Sequence, residues 1–277
     1  DVKATMQKNW LITTNELGPD GDTYRDILLD MASKAHNYTR RYGILMYSTA
    51  SMYFMSPFAG MQNDNVRARK YPFFGWYYFD KDSDLIYALC YISQLMIGVV
   101  VGTCNYAMDS IFLVAVYHCC AQLRMIQYDV QKLGQTGHCS HEEIAHLVRK
   151  HQMEIRTSRK LEIIFNGCSV QQLMVSCVII CIIGFKLIIA LSEGGSEFLV
   201  YIAFMFVALL QIFLYCKPGD ELISQSIAVA DATYQSLWRR LDVELVRKVS
   251  MMILRSQRPL KMTAGSFLVL SMPNFTK

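Results

Sequence analysis

Residues 85–123 read LIYALCYISQLMIGVVVGTCNYAMDSIFLVAVYHCCAQL, a stretch of 39 residues with a single acid and no lysine or arginine. As one continuous helix it would be about 58 Å long, at a rise of about 1.5 Å per residue. The hydrocarbon core of a bilayer is only about 30 Å thick. The stretch therefore predicts a transmembrane helix that continues into the cytoplasm and packs there against protein. We expect Asp109 and His118, in its second half, to belong to that packed portion and to have structural roles.

Three more apolar stretches occupy residues 44–60, 165–191 and 198–216. Each is close to or above the roughly 17–25 residues that cross a bilayer. Hydrophobic residues make up 53% of the chain and charged residues 18%, against about 45–50% and about 25% in soluble domains. The predicted fold class is all-α, a polytopic transmembrane helical bundle with four spans.

Lysine and arginine are concentrated before the first span, between the second and the third, and after the fourth. The opposite side holds few, chiefly Arg67, Arg69, Lys70 and Lys81. Because positively charged loops stay in the cytoplasm, we expect an intracellular amino terminus and a cytoplasmic helical anchor. The net charge of +4 follows from this asymmetry. No basic run is interleaved with aromatics for base stacking, so no nucleic acid partner is expected.

The chain divides into four predicted segments. They are a cytoplasmic approach at 1–41, membrane helices at 42–216 with a cytoplasmic loop at 124–162, an anchor at 217–270, and the start of a further helix at 271–277. The chain begins without an initiator methionine and stops within the first turn of that last helix. Both ends indicate a portion of a longer protein.

Local signals predict where several helices begin and end. Ser140, three residues before Glu143, fits a capping box and predicts a helix in the second half of the cytoplasmic loop. A separate helix is expected over 221–238. Pro259 is expected to end the helix that precedes it, and the hydroxyl of Ser271 is expected to cap the next one.

The segment HEEIAH at 141–146 resembles a zinc-protease motif but separates its histidines by five residues instead of four. This spacing turns one ring about 140° from the other. With His138, Cys139 and His151 it forms at most a loose cluster on a solvated face. The chain holds no Gly-rich phosphate loop, nucleophile elbow or paired-carboxylate site. We therefore expect no enzyme activity, no cofactor and no metal.

The nine cysteines lie in or beside the apolar spans, apart from Cys139 in the cytoplasmic loop. None lies in the predicted outer loops at 61–84 and 192–197, so no disulfide is expected there. Small buried thiols are expected instead.

Candidate ligand-binding residues lie in the outer parts of three spans, where aromatic rings, methionine and a few hydroxyls share one depth. This mixture suits an apolar cavity for a small hydrophobic ligand, although ordinary helix packing explains each residue equally well. The aromatic run at 71–79 fits either a belt at the lipid headgroups or a lid over that cavity. The candidates are Ser51, Tyr53, Phe54 and Phe58, then Tyr87, Cys90, Tyr91 and Gln94, and finally Tyr201, Phe204 and Met205.

Several stretches in the second half of the chain resemble one known family. LLQIFLYC at 209–216, with VADATYQSLW at 229–238, looks like the end of the sixth helix of insect odorant receptors. MILRSQRPLKMTAG at 252–265 resembles the signature of their seventh helix, and KHQ at 150–152 with IIGF at 182–185 resembles their fifth. The resemblance extends over the whole chain.

The resemblance implies that the four spans are the third to sixth of seven helices, and that the first two and most of the pore helix are missing. It implies a subunit of a tetrameric, odorant-gated, nonselective cation channel that pairs with a shared co-receptor in the plasma membrane of olfactory sensory neurons. Odorants bind in the outer halves of the bundle in that family. The short stretch at 131–141 favours a tuning subunit, because the co-receptor has a long insertion there.

Two other functions remain open from the sequence. A seven-helix G-protein-coupled chemoreceptor would place the sequon Asn37-Tyr38-Thr39 outside the cell, whereas the charge pattern places it in the cytoplasm. A membrane subunit without a sensing role would assemble with the co-receptor but would give no response to any ligand.

Overall fold

Four long helices make up most of the chain. The computed structural model describes residues 21–60, 73, 84–133, 140–193 and 198–276, without the side chains of 56–60 and 193. Each helix contains one predicted span together with neighbouring polar sequence, which confirms the all-α class. The helices are α1 (Gly21–Gly60), α2 (Asp84–Gln131), α3 (His141–Glu193) and α4 (Phe198–Gln235).

Two pairs of predicted helical segments are each continuous in the structure. The helix expected in the cytoplasmic loop and the span at 165–191 form the single helix α3. The helix expected over 221–238 likewise continues from the fourth span within α4, and Pro218 lies inside it. Proline removes one backbone donor from a helix, but α4 continues through it.

The start of α3 has the predicted capping box. The N–H of Glu142 donates to Ser140 Oγ at 3.1 Å, and the N–H of Ser140 donates to Glu143 Oε2 at 3.0 Å. Two backbone donors that the helix leaves without an internal partner are thereby satisfied.

Shorter elements follow α4. They are a 3-10 turn (Trp238–Arg240), α5 (Val243–Ser256), a hairpin of β1 (Thr263–Ala264) and β2 (Leu268–Val269), and α6 (Met272–Phe275). α5 ends before Pro259, as predicted. The antiparallel hairpin, in which Thr263 pairs with Val269, was not predicted. It turns through Gly265 and Ser266, whose φ angles are 65° and 64°.

The start of α6 differs from the prediction. Ser271 occupies the N-cap position, but its side chain makes no capping hydrogen bond, so that prediction is wrong. The N–H of Met272 donates to Asp220 Oδ1 at 3.3 Å instead. The neighbouring Gly219 leaves room for close backbone packing, because a Cβ there would lie 2.2 Å from the Leu270 carbonyl oxygen.

Within the described residues, α2, α3 and α4 are long and apolar enough to cross a membrane. The helix α1 does not reach that hydropathy, since serine and tyrosine dilute its apolar stretch. Its role as the first of four spans therefore stays a prediction.

The contacts divide the chain into two compact units. The first, called here the membrane unit, comprises Thr39–Ser110 and Val175–Gln211. The second, the base unit, comprises Asp1–Tyr38, Ile111–Met174 and Ile212–Lys277.

The base unit contains the largest fully buried side chains of the described residues. The Phe112 ring stacks on Tyr215 at 4.6 Å between centroids and meets Phe165 edge-on at 5.3 Å. Residues 112 and 113 of α2 are almost completely buried. The prediction that the inner part of residues 85–123 packs against protein is therefore confirmed.

Three ionisable residues of the predicted spans have different surroundings. His118 lies in the base unit as expected, and Asp109, the second residue before that unit begins, is packed against protein as expected, since it is 4% exposed. Lys186 is exposed, with its Nζ 5.9 Å from the centroid of the Tyr201 ring.

The cysteines are buried only in part. Cys90, Cys119, Cys120 and Cys216 are buried, but the remaining described thiols are exposed, so the expectation of buried thiols is wrong for them. The exposed thiols lie on helices that also carry exposed apolar side chains. They are Cys104, Cys168, Cys177 and Cys181.

A candidate ligand-binding site in the membrane unit

Four aromatic side chains meet in the membrane unit. The Tyr53 ring lies 5.4 Å from Phe204 in an edge contact and 5.6 Å from Phe73. Phe54 lies 6.1 Å from Phe73, also edge-on. We call Tyr53, Phe54, Phe73 and Phe204 the aromatic cluster. It joins α1 and α4 to Phe73, which precedes α2 in the chain.

Helix geometry explains how these rings come together. Tyr53 and Phe54 are consecutive in α1, so their side chains leave the helix in directions about 100° apart, and Phe73 contacts both. Gly98 of α2 makes room for Phe54, because a Cβ there would lie 2.5 Å from Phe54 Cζ.

The candidate Gln94 binds protein backbone. Its Nε2 donates to the Phe73 carbonyl oxygen at 3.1 Å, and its Oε1 accepts the Phe73 N–H at 3.0 Å. The side chain is 7% exposed. Gln94 therefore positions Phe73, and those two hydrogen bonds are not offered to a ligand.

The hydroxyls of two other candidates are also engaged by backbone. Tyr91 Oη donates to the carbonyl oxygen of Phe54, which ties α2 to α1 beside the aromatic cluster. Ser51 Oγ donates to the Tyr47 carbonyl oxygen of its own helix at 2.8 Å, and Ser51 is exposed. Tyr91 thus supports the cluster, whereas Ser51 has no contact with it among those observed.

The remaining candidates surround the cluster or lie apart from it. The ring centroids of Tyr87 and Tyr91 lie 6.1 Å apart. Cys90, which precedes Tyr91 in the chain, is buried. Met205 packs towards α3, because a Cβ added to Gly184 of that helix would lie 3.7 Å from Met205 Cε. Tyr201 contacts Lys186. The side chain of Phe58 lies outside the described residues.

Two residues of this region were absent from the predicted set. Phe73 belongs to the aromatic run at 71–79, for which a lid had been one interpretation, and the rest of that run lies outside the described residues. Gly98 gave no signal, because a glycine inside an apolar span does not indicate which ring it accommodates.

The aromatic cluster is an apolar group of rings in contact with one another. Aromatic rings present a negative face and a positive edge, so mixed edge contacts favour apolar and aromatic guests. In the ranges 21–60, 84–133, 140–193 and 198–276, no group of three histidine, cysteine or acidic side chains could hold a metal ion.

Comparison with known proteins identifies the family. The family model described as 7tm Odorant receptor matches residues 5–277. The chain belongs to the insect odorant receptor family. Members of this family are receptor and channel proteins, not enzymes, and the four long helices are part of a multi-pass membrane protein.

Curated insect odorant receptors are similar over most of the chain. Odorant receptor 13a of Drosophila melanogaster is 27% identical over 253 residues, which cover 84% of this chain and 59% of that receptor. Odorant receptor 47b of the same fly is 32% identical over 150 residues, which cover 53% of this chain and 36% of the receptor. The chain thus spans less than two thirds of the length of these relatives.

Solved insect olfactory receptors share the fold. The olfactory receptor OR5 from Machilis hrabei in complex with eugenol superposes with a TM-score of 0.80 at 18% identity. The superposition covers 97% of this chain and 69% of that receptor. A second structure of OR5 from Machilis hrabei gives a TM-score of 0.77. The predicted helical membrane bundle is therefore confirmed.

Proposed function

We propose that the whole protein is a tuning odorant receptor, a subunit of a ligand-gated, nonselective cation channel. The family match over residues 5–277 carries the proposal. We further propose that it pairs with the shared co-receptor as a heterotetramer in the plasma membrane of olfactory sensory neurons. Small volatile molecules are its ligands.

The ligand site we propose is the aromatic cluster with its supports Tyr91 and Gln94. Three features favour it. Four rings from three segments of the chain meet there, and the polar groups of Tyr91 and Gln94 bind backbone. Gly98 leaves space for the Phe54 ring. A ring-rich apolar site favours uncharged ligands that have an aromatic ring or an unsaturated chain. Eugenol, which is in complex with the related receptor OR5 from Machilis hrabei, has this chemistry and is one suitable probe.

The test is electrical recording from the full-length protein co-expressed with the co-receptor. The panel contains eugenol, an aliphatic ester, an aliphatic aldehyde and a carboxylic acid, and surface expression is verified. We expect an inward current with at least one uncharged compound and none in cells that express either subunit alone. Silence of a surface-expressed complex to an extended panel would contradict the proposal and favour a subunit without a sensing role.

Two phenylalanines of α4 provide a matched pair for locating the site. Phe204 contacts Tyr53, whereas Phe206 is 58% exposed. Phe204→Ala should change the EC50 of active compounds unequally, because a lost ring contact depends on ligand shape. Phe206→Ala should leave the order of potency intact. Equal effects of both variants would place the ligand elsewhere.

A further inference from the structure

A buried carboxyl group joins three helices of the membrane unit. Asp109 of α2 is 4% exposed. Tyr42 Oη of α1 donates to Asp109 Oδ2 at 2.9 Å, and Gln211 Nε2 of α4 donates to the same oxygen at 2.8 Å. Tyr42 is 2% exposed and Gln211 8%, so water has little access to replace either donor.

These bonds matter because the carboxyl group is buried. A buried acid is costly unless hydrogen-bond donors satisfy it. Removal of one donor leaves a buried acceptor short of a partner, which costs more than an average hydrogen bond contributes. The arrangement in which α1, α2 and α4 meet at Asp109 is therefore strongly preferred over one in which they separate.

The helices α1, α2 and α4 also carry rings or supports of the candidate ligand site. Tyr53 is about 16 Å along α1 from Tyr42, and Phe204 is about 10 Å along α4 from Gln211, from the rise per residue. α2 carries both Asp109 and the site supports Tyr91 and Gln94.

The joined residues also lie close in sequence to the unit boundaries. The chain passes from one unit to the other at 38–39, 110–111 and 211–212. Tyr42, Asp109 and Gln211 each lie within a turn of helix of one of these positions.

We propose that Asp109, held by Tyr42 and Gln211, couples ligand binding to channel opening by making α1, α2 and α4 move together. We call these three residues the Asp109 junction. A ligand that displaces one helix at the aromatic cluster displaces the others because the junction holds them in register. Asp109 is a positioning residue that does not touch the ligand, and this inference rests on the proposed function.

Two tyrosines of α1 provide the decisive comparison. Tyr47 Oη also pairs with a group of α2, Thr103 Oγ1 at 3.1 Å, but Tyr47 is 39% exposed. Tyr42→Phe should raise the EC50 of every active compound by a common factor of about 5- to 150-fold, the usual size of coupling between sites. Tyr47→Phe should leave the EC50 at the wild-type value. The maximal current should fall only for Tyr42→Phe.

Replacements of Asp109 separate hydrogen bonding from side-chain shape. Asp109→Asn keeps an oxygen that can accept from Tyr42 and Gln211, whereas Asp109→Leu keeps none. With surface expression equalised, the EC50 of Asp109→Asn should stay closer to the wild-type value than the EC50 of Asp109→Leu. The proposal is overturned if Tyr42→Phe matches Tyr47→Phe, or if the order of potency among compounds changes, which would place Asp109 in the ligand site.

A measurement without any agonist tests the junction itself. In purified full-length protein, the thermal unfolding of Tyr42→Phe, Gln211→Leu and the double variant forms a double-mutant cycle. Because both donors share Asp109 Oδ2, we expect the two losses to be non-additive. Additive losses would overturn the junction. Non-additive losses combined with silence to the whole panel would instead overturn the channel function and the coupling role, while the structural junction would stand.

Discussion

Glu154 and His151 lie on the same helix of the base unit, yet burial shifts their pKa values in opposite directions. Burial raises the pKa of Glu154 from 4.5 to about 7, and hydrogen bonds with Cys119 and Ser158 act against that rise. Burial lowers the pKa of His151 from 6.5 to about 4, and the positive charge of Arg255 adds to the effect. Both residues are at most 5% exposed.

The two shifts change stability with opposite sign. Between pH 4.5 and 7 the unfolded chain loses the Glu154 proton before the folded chain does, so this contribution falls as pH rises. Between pH 4 and 6.5 the unfolded chain holds the His151 proton after the folded chain has lost it, so that contribution increases as pH rises. Each amounts to about 3 kcal/mol, at about 1.4 kcal/mol per pKa unit.

Replacing one of the two residues removes its pH-dependent contribution to stability and leaves that of the other residue. Measured against wild type, Glu154→Gln should gain relative stability as pH is raised from 5 to 6.5, whereas His151→Gln should lose it. The readout is the melting temperature of the purified full-length protein at several pH values. Slopes of the same sign for the two variants would contradict the pKa shifts.

At the residue scale, the sequence predicted which types of side chain form the site but not what each one binds. Tyr53, Phe54 and Phe204 were predicted and meet in the structure. Gln94 was predicted as a ligand contact, but its amide binds the backbone of Phe73. Composition and depth follow from sequence alone, whereas hydrogen-bond partners depend on loops whose path a helical pattern does not determine.

At the element scale, two serines at helix starts differ in whether the hydroxyl caps the helix. Ser140 caps α3, while Ser271 makes no capping bond to α6. Ser140→Ala should destabilise the protein by about 1 kcal/mol, and Ser271→Ala should have a smaller effect. Hydrogen exchange of the amides at the start of α3 measures the local loss. Equal protection in Ser140→Ala and wild type would show that the capping box contributes nothing.

Helix positions were easier to predict than helix ends. The spans at 85–123 and 165–191 lie within α2 and α3, since a long apolar run leaves few alternatives. The continuity of α4 through Pro218 was missed, because proline is normally a helix breaker. The hairpin of β1 and β2 was missed because two-residue strands carry almost no periodic signal.

At the scale of the whole molecule, the orientation in the membrane stays a prediction from the charge pattern. Asn37 is exposed on α1 and belongs to a glycosylation sequon. If the amino terminus is intracellular, protein from insect cells should carry no glycan at Asn37. Arg67→Thr creates the sequon Asn65-Val66-Thr in the predicted outer loop and serves as the positive control. The measurement is the gel shift on glycosidase treatment, and a glycan at Asn37 would reverse the orientation.

The length of α3 bears on how the protein meets bilayers of different thickness. Its 53 residues extend about 80 Å, far more than the hydrocarbon core, so the water–lipid boundary falls inside the helix. No unsatisfied amide or carbonyl of a helix terminus then has to lie at that boundary. The helix can shift or tilt by several ångströms to match a thinner or thicker membrane without breaking a backbone hydrogen bond.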